Sequence, residues 1–302
     1  MKSGKWRLVL KIIISLVIVG FLIQRLIQSY SQISQYTFSI NYSSLILALI
    51  FGIIGFSMFG MGWIFAIRIC GYTLGLNKGM ITWFKSQMIK YLPGTIWMFL
   101  SRVYDCKKFG IEKKTAILSI YLECALLGLS AVIISILMNY KIVGGYIHPG
   151  ILIPIFIASL LLVHPTILNK ILSIFKKQNL KINDYSFSKL LGLLLFYAAS
   201  WLPICAGFVF LANSITPIPA ASYAYVAGTF VLAWVVGFIA IFSPGGIGVR
   251  EGLISLILAQ ILPEPIAIII AFGSRIWWIA IETGSFGLWF LVRRLSAWKA
   301  RT

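Results

Sequence analysis

Apolar runs of roughly 20 residues recur along this chain, each long enough to cross a hydrocarbon core of about 30 Å as a helix. They cover Ile12 to Ile27, Ser44 to Cys70, a run ending at Met138, another ending near Leu172, Leu190 to Leu211, Tyr223 to Phe242 and Ile266 to Val292. Apolar residues make up 60% of the 302 and charged residues 11%, too few polar side chains to coat a soluble globule. No alternating apolar/polar segments of the outer-membrane barrel kind occur. The expected fold class is therefore all-α, a polytopic integral membrane helical bundle.

The net charge of +19 lies in short loops and at the termini. That placement argues against a nucleic-acid partner and for membrane orientation and anionic headgroups. Lys2, Lys5, Arg7 and Lys11 precede the first run, which is long and has no small-residue cleavage site after it, so it is read as a retained helix. The linker from Gln28 to Ser43 is uncharged and is placed outside. Five lysines between Lys170 and Lys189, against Asp184 alone, place that loop in the cytoplasm, and Arg293, Arg294, Lys299 and Arg301 do the same for the far end. With both termini cytoplasmic the number of crossings is even, about eight if the short run from Ile247 to Leu262 counts as one. The expected location is the cell (inner or plasma) membrane.

Two stretches break the pattern. Ser243-Pro244-Gly245-Gly246-Ile247-Gly248-Val249-Arg250-Glu251-Gly252 sets a charged pair beside proline and glycine between apolar runs, where an ion facing lipid costs several kcal/mol. Its polar backbone is expected to face protein or a wet cavity. Between Gly71 and Gly110 the apolar run is interrupted by Lys85, Lys90 and Pro93-Gly94. This reads as a helix-turn-helix dipping into the bilayer from the cytoplasm, with an interfacial amphipathic helix as the competing reading. Each half thus offers a re-entrant Pro-Gly element, an arginine after it and a glutamate-bearing helix. The chain is read as one transmembrane domain, 1–302, in which an internal echo divides it into halves of about 1–172 and 189–302; the charge rule favours parallel repeats, with inverted repeats, common among transporters, as the alternative.

Deep in the apolar segments Arg102, Arg250 and Arg275 balance Glu123, Glu251 and Glu282. Arg275 and Glu282 share a helix face but lie about 10 Å apart along it, so each is expected to meet another helix. Thr115, Ser119, Glu123 and Ser130 share a face that should point inward. Such pairs serve equally as bundle-holding contacts or as a site. Cys70, Cys106, Cys124 and Cys205 lack metal spacing and are read as free thiols. His148 and His164 share no ligand spacing, so no metal or other cofactor is expected. Ser243 has no nearby histidine base, so nucleophilic catalysis is not expected.

Lys90-Tyr91-Leu92-Pro93-Gly94-Thr95-Ile96-Trp97 with Arg102, Glu123 in the following helix, and the motif from Ser243 to Gly252 resemble the lysylphosphatidylglycerol synthase transmembrane, or flippase-like, domain family. The resemblance covers nearly the whole chain. It implies a membrane domain that moves a lipid between leaflets. The aminoacyl transfer of full-length synthases resides in a separate soluble domain, whereas here Arg293 to Thr302 follow the last helix, so no enzymatic activity is expected of this chain.

The expected function is translocation of an anionic lipid or lipid-linked glycan intermediate in cell-envelope biogenesis. A non-catalytic subunit or scaffold of envelope glycolipid or polysaccharide assembly is the alternative, and a lipid-modifying transferase the third reading. Envelope-biosynthesis proteins and a second copy of the chain are admitted as partners beside the lipid. The expected substrate-binding residues are Pro93, Gly94, Trp97, Arg102, Glu123, Pro244, Gly245, Gly246, Gly248, Arg250, Glu251, Arg275 and Glu282.

Overall fold

The computed structural model describes residues 40–90, 96–139, 187–240 and 248–299, with 20, 24 and 246 besides. The expected helices at Ile12 to Ile27 and near 150–172, most of the loop from Lys170 to Lys189, and Pro93, Gly94, Pro244 and Gly245 lie outside the described residues. Every element among the described residues is helical: α1 Tyr42–Ile69, α2 Leu76–Ile89, α3 Ile96–Lys108, α4 Lys113–Met138, α5 Phe187–Ile215, α6 Tyr223–Ile239 after a 3-10 turn, α7 Val249–Leu258 and α8 Glu264–Lys299. Five of them, α1, α4, α5, α6 with its leading turn, and α8, are long and apolar enough to cross a membrane. This is a multi-pass helical membrane protein.

In lipid the helices gain nothing from leaving water, so close packing and polar contacts must hold them. The α1–α5 seam is built from glycines: a methyl at Gly55 would press into Ile204, and one at Gly62 into Tyr197. Asn41 N–H donates to the Ser214 carbonyl (3.0 Å), so α5 runs antiparallel to α1. Trp277 Nε1 donates to the Ala48 carbonyl (2.9 Å) and Trp289 Nε1 to Ser57 Oγ (3.3 Å), which sets α8 parallel to α1. Rings fill the centre, with Phe56 against Trp83, Phe84 and Trp278.

The two broken stretches are approached from opposite ends of this frame. Helix α2 is 14 residues long, about 21 Å, too short to cross. Gly79 packs on Ile64 and Trp83 on Phe56, so α2 climbs α1 in reverse. At its end Lys90 reaches Glu282, the midpoint of α8, beside the level of Gly52 and Ile53 of α1. Helix α3 then descends, returning Arg102 to the level of Trp63. Helices α2 and α3 therefore enter and leave at one end, with Lys90 near mid-height.

Helix α6 comes from the other end, antiparallel to α5, with Phe230 stacked on Phe208 (4.6 Å) and Trp234 against Trp201 (5.0 Å). Helix α7 returns along it: Arg250 lies beside Gly237, and Tyr225 Oη donates to the Ile257 carbonyl (2.7 Å). At 10 residues, about 15 Å, α7 is shorter than the run from Ile247 to Leu262 read from the sequence. It nonetheless carries the chain back along most of α6. Helices α2 and α6 thus run in opposite directions.

Candidate functional site

Helix α4 presents a polar stripe to three indoles. Trp63 Nε1 donates to Ser119 Oγ (3.3 Å), Trp83 Nε1 to Glu123 Oε1 (2.5 Å) and Trp201 Nε1 to Ser130 Oγ (3.1 Å). Each indole inside an apolar bundle needs one acceptor, and the helical spacing of Ser119, Glu123 and Ser130 supplies it. The other Glu123 oxygen pairs with the Arg102 guanidinium. Arg102 Nε donates to Ser86 Oγ (3.0 Å), and the guanidinium lies 4.9 Å from the Trp63 ring centre. Arg102 is 1% exposed, a cation sealed by a carboxylate, a hydroxyl and aromatic faces.

The second stretch is organised by its glycines. Gly246 (φ +70°) and Gly248 (φ +84°) sit in the left-handed region that side chains disfavour. A methyl on Gly246 would come within 2.8 Å of Arg250 Nε. Glu251 accepts the Gly248 N–H (2.6 Å) at the start of α7, with Arg275 Nε 3.9 Å from its other oxygen. The Arg250 guanidinium lies 5.5 Å from the Trp234 ring centre and its stem packs on Gly237.

Between the two stretches lies a cavity of about 430 Å³, within the range of about 300–1,000 Å³ typical of small-molecule sites. Its polar wall is Gln87, Lys90, Arg102, Glu123 and Arg250, and rings of Phe56, Phe59, Trp83, Trp234 and Trp278 supply much of the rest. Lys90 pairs with Glu282, tying the end of α2 to α8, and the charges of Arg250 and Arg275 act on it. Among the described residues the cluster holds Lys90, Arg102, Arg250 and Arg275 against Glu123, Glu251 and Glu282. It carries one cation more than carboxylates.

Of the residues expected to bind substrate, Arg102, Glu123 and Arg250 face this cavity. Gly246 and Gly248 shape the turn behind Arg250, while Glu251, Arg275 and Glu282 hold other groups in place around it. Trp97 does not join them. It is 53% exposed, one helical step from Met98, which faces the cavity, and so points away. Lys90, read from the sequence as an interruption of an apolar run and not as a site residue, lies inside the bundle on Glu282. Its place beside Leu92-Pro93-Gly94 is the signal that could have found it. Trp234 and Gly237 escape sequence reasoning because a tryptophan and a glycine in an uncharged apolar run look like any packing residues.

No family model matches the chain, and a search of curated proteins finds no match.

Proposed function

We propose that the protein is a translocator of an anionic lipid or lipid-linked glycan intermediate. In this reading it crosses the inner or plasma membrane eight times with both termini cytoplasmic, and it resembles the flippase-like domain family. One observation carries it: a cavity at mid-height, bounded by two interrupted helix pairs arriving from opposite ends, has three basic side chains and one carboxylate on its wall. A cationic, aromatic-walled cavity with one surplus positive charge favours a phosphate, which Arg250 grips through its guanidinium fork.

The test is a leaflet-resolved lipid assay on protein in liposomes, over a panel of anionic and polyprenyl-linked lipids. Wild type is expected to move at least one of them, and Arg250→Lys, which keeps charge but loses the fork, to move it slowly while remaining folded. Transport of none, or an Arg250→Lys protein as active as wild type, would overturn the proposal. The scaffold reading draws on a different observation: Glu123, Glu251 and Glu282 are all engaged by protein groups. It requires that activity losses follow stability losses in every variant.

A further inference from the structure

Beside the cationic cavity runs a second space of about 300 Å³, between α4 and α6, with no charged residue in its walls. Tyr121, Ala125, Gly128 and Val132 form one helical stripe along its α4 side. The stripe is about 16 Å long at 1.5 Å per residue, close to the hydrocarbon depth of a single leaflet, half of about 30 Å. Trp234 and Phe238 line both spaces, stacked 5.2 Å apart at an interplanar angle of 6°. A two-ring partition thus separates a cation-walled chamber from a chain-length apolar groove.

We propose that a phosphate-bearing lipid occupies both: its phosphate lies in the cationic cavity and one of its hydrocarbon chains in the α4–α6 groove, with Trp234 and Phe238 between them. This rests on the cavity being the lipid-phosphate site. The groove is as apolar as bulk lipid, so it holds the chain by close packing along its length rather than by a gain on leaving lipid. The groove therefore orients the lipid, and the phosphate site selects it. Gly128 faces the open groove, since a methyl there would meet nothing within 4 Å. A soluble phosphate fits the cavity as well but leaves the groove empty, which separates the two sources of the same chemistry.

The experiment measures binding of dioleoyl phosphatidate, glycerol phosphate and dioleoylglycerol to the detergent-purified chain, wild type against Gly128→Phe and Gly128→Ala. Phosphatidate should bind best and lose about tenfold in Gly128→Phe, equivalent to about 1.4 kcal/mol, with glycerol phosphate unaffected and Gly128→Ala close to wild type. A chain-brominated phosphatidate should quench wild type more than Trp234→Phe. Undiminished phosphatidate binding to Gly128→Phe would remove the groove and leave the cavity standing. Failure of both phosphate ligands to bind would remove the cavity, and this inference with it; dioleoylglycerol binding as tightly as phosphatidate would do the same. A lipid-free Gly128→Phe protein less stable than wild type would show that part of the chain itself fills the groove, which also overturns the inference.

Discussion

The two broken stretches share a sequence signature, Pro-Gly followed by an arginine, yet the chain uses them differently. The first is approached by α2, a short helix carrying Lys85 and ending at Lys90; the second by α6, a longer helix without a charged residue. Charges on the approach keep α2 at the end it came from, whereas α6 can run most of the way through. The arginines differ in the same sense. Arg102 is sealed between Glu123, Ser86 and two tryptophans, while Arg250 is half-buried on Trp234 and held by glycine contacts. One arginine builds the wall and the other is presented by it.

The largest expected effect would break that contrast. Arg102→Ala strands Glu123 in the apolar interior, at a cost of about 3 to 5 kcal/mol, and should leave little folded protein. Arg250→Ala should remain folded and lose transport. Thermal unfolding and lipid movement measured on the same preparations decide it: equal destabilisation by both substitutions would make the two arginines alike.

Next in size is the tie between the end of α2 and α8. Lys90→Ala or Glu282→Ala alone should cost about 2 to 3 kcal/mol, less than the sealed pair because Lys90 borders the cavity. The double variant should recover part of this, with a coupling of about 1 to 3 kcal/mol. Additive losses in a double-mutant cycle of unfolding would mean that the end of α2 is held by packing alone.

Much of this architecture is legible in the apolar runs and the lysines. Tyr223 and Met138 mark helix ends that the sequence shows, and Lys85 and Lys90 mark the stretch that does not cross. Polarity ends a membrane run without ending a helix, which is why α8 continues past Val292, where the apolar run stops, to Lys299. The site is half legible. A charge in an apolar segment announces that it needs a partner, so Arg275 and Glu282 are expected to meet other elements, and they meet Glu251 and Lys90. Which partner each takes depends on helix rotation and depth, which sequence does not encode locally. The indole contacts to Ser119, Glu123 and Ser130 stay hidden for that reason, as does the outward turn of Trp97.

A smaller change sharpens the reading of Arg250 as presented by its surroundings. Gly237→Ala puts a methyl within 2.5 Å of the Arg250 side chain. The arginine stem is flexible enough to move, so stability should change by no more than about 1 kcal/mol. Transport should nonetheless fall roughly ten- to hundredfold, as expected when a gripping group is displaced by about 1 Å. Wild-type transport by a folded Gly237→Ala protein would show that the position of Arg250 is not set by this contact.

The smallest effect concerns the outer end of the first stretch, outside the membrane-spanning segments. Asp105 accepts hydrogen bonds from Lys85 Nζ (2.8 Å) and Lys108 Nζ (3.0 Å). Burial pushes its carboxyl up, but the two lysine hydrogen bonds more than offset this and hold it below the ordinary carboxylate range. A carboxyl depressed in the folded state adds stability above its unfolded value of about 3.9, and that contribution is lost as pH falls through the folded value. Asp105→Asn should therefore cost less than about 1 kcal/mol near neutrality, because both lysines are half exposed and water screens the pairs. The difference in thermal stability between wild type and Asp105→Asn should hold steady from neutral pH and shrink as the solution is acidified below about pH 4. Growth of that difference on acidification would mean that the lysine contacts do not favour the ionised carboxyl, and that α2 and α3 are joined at their open end by packing instead.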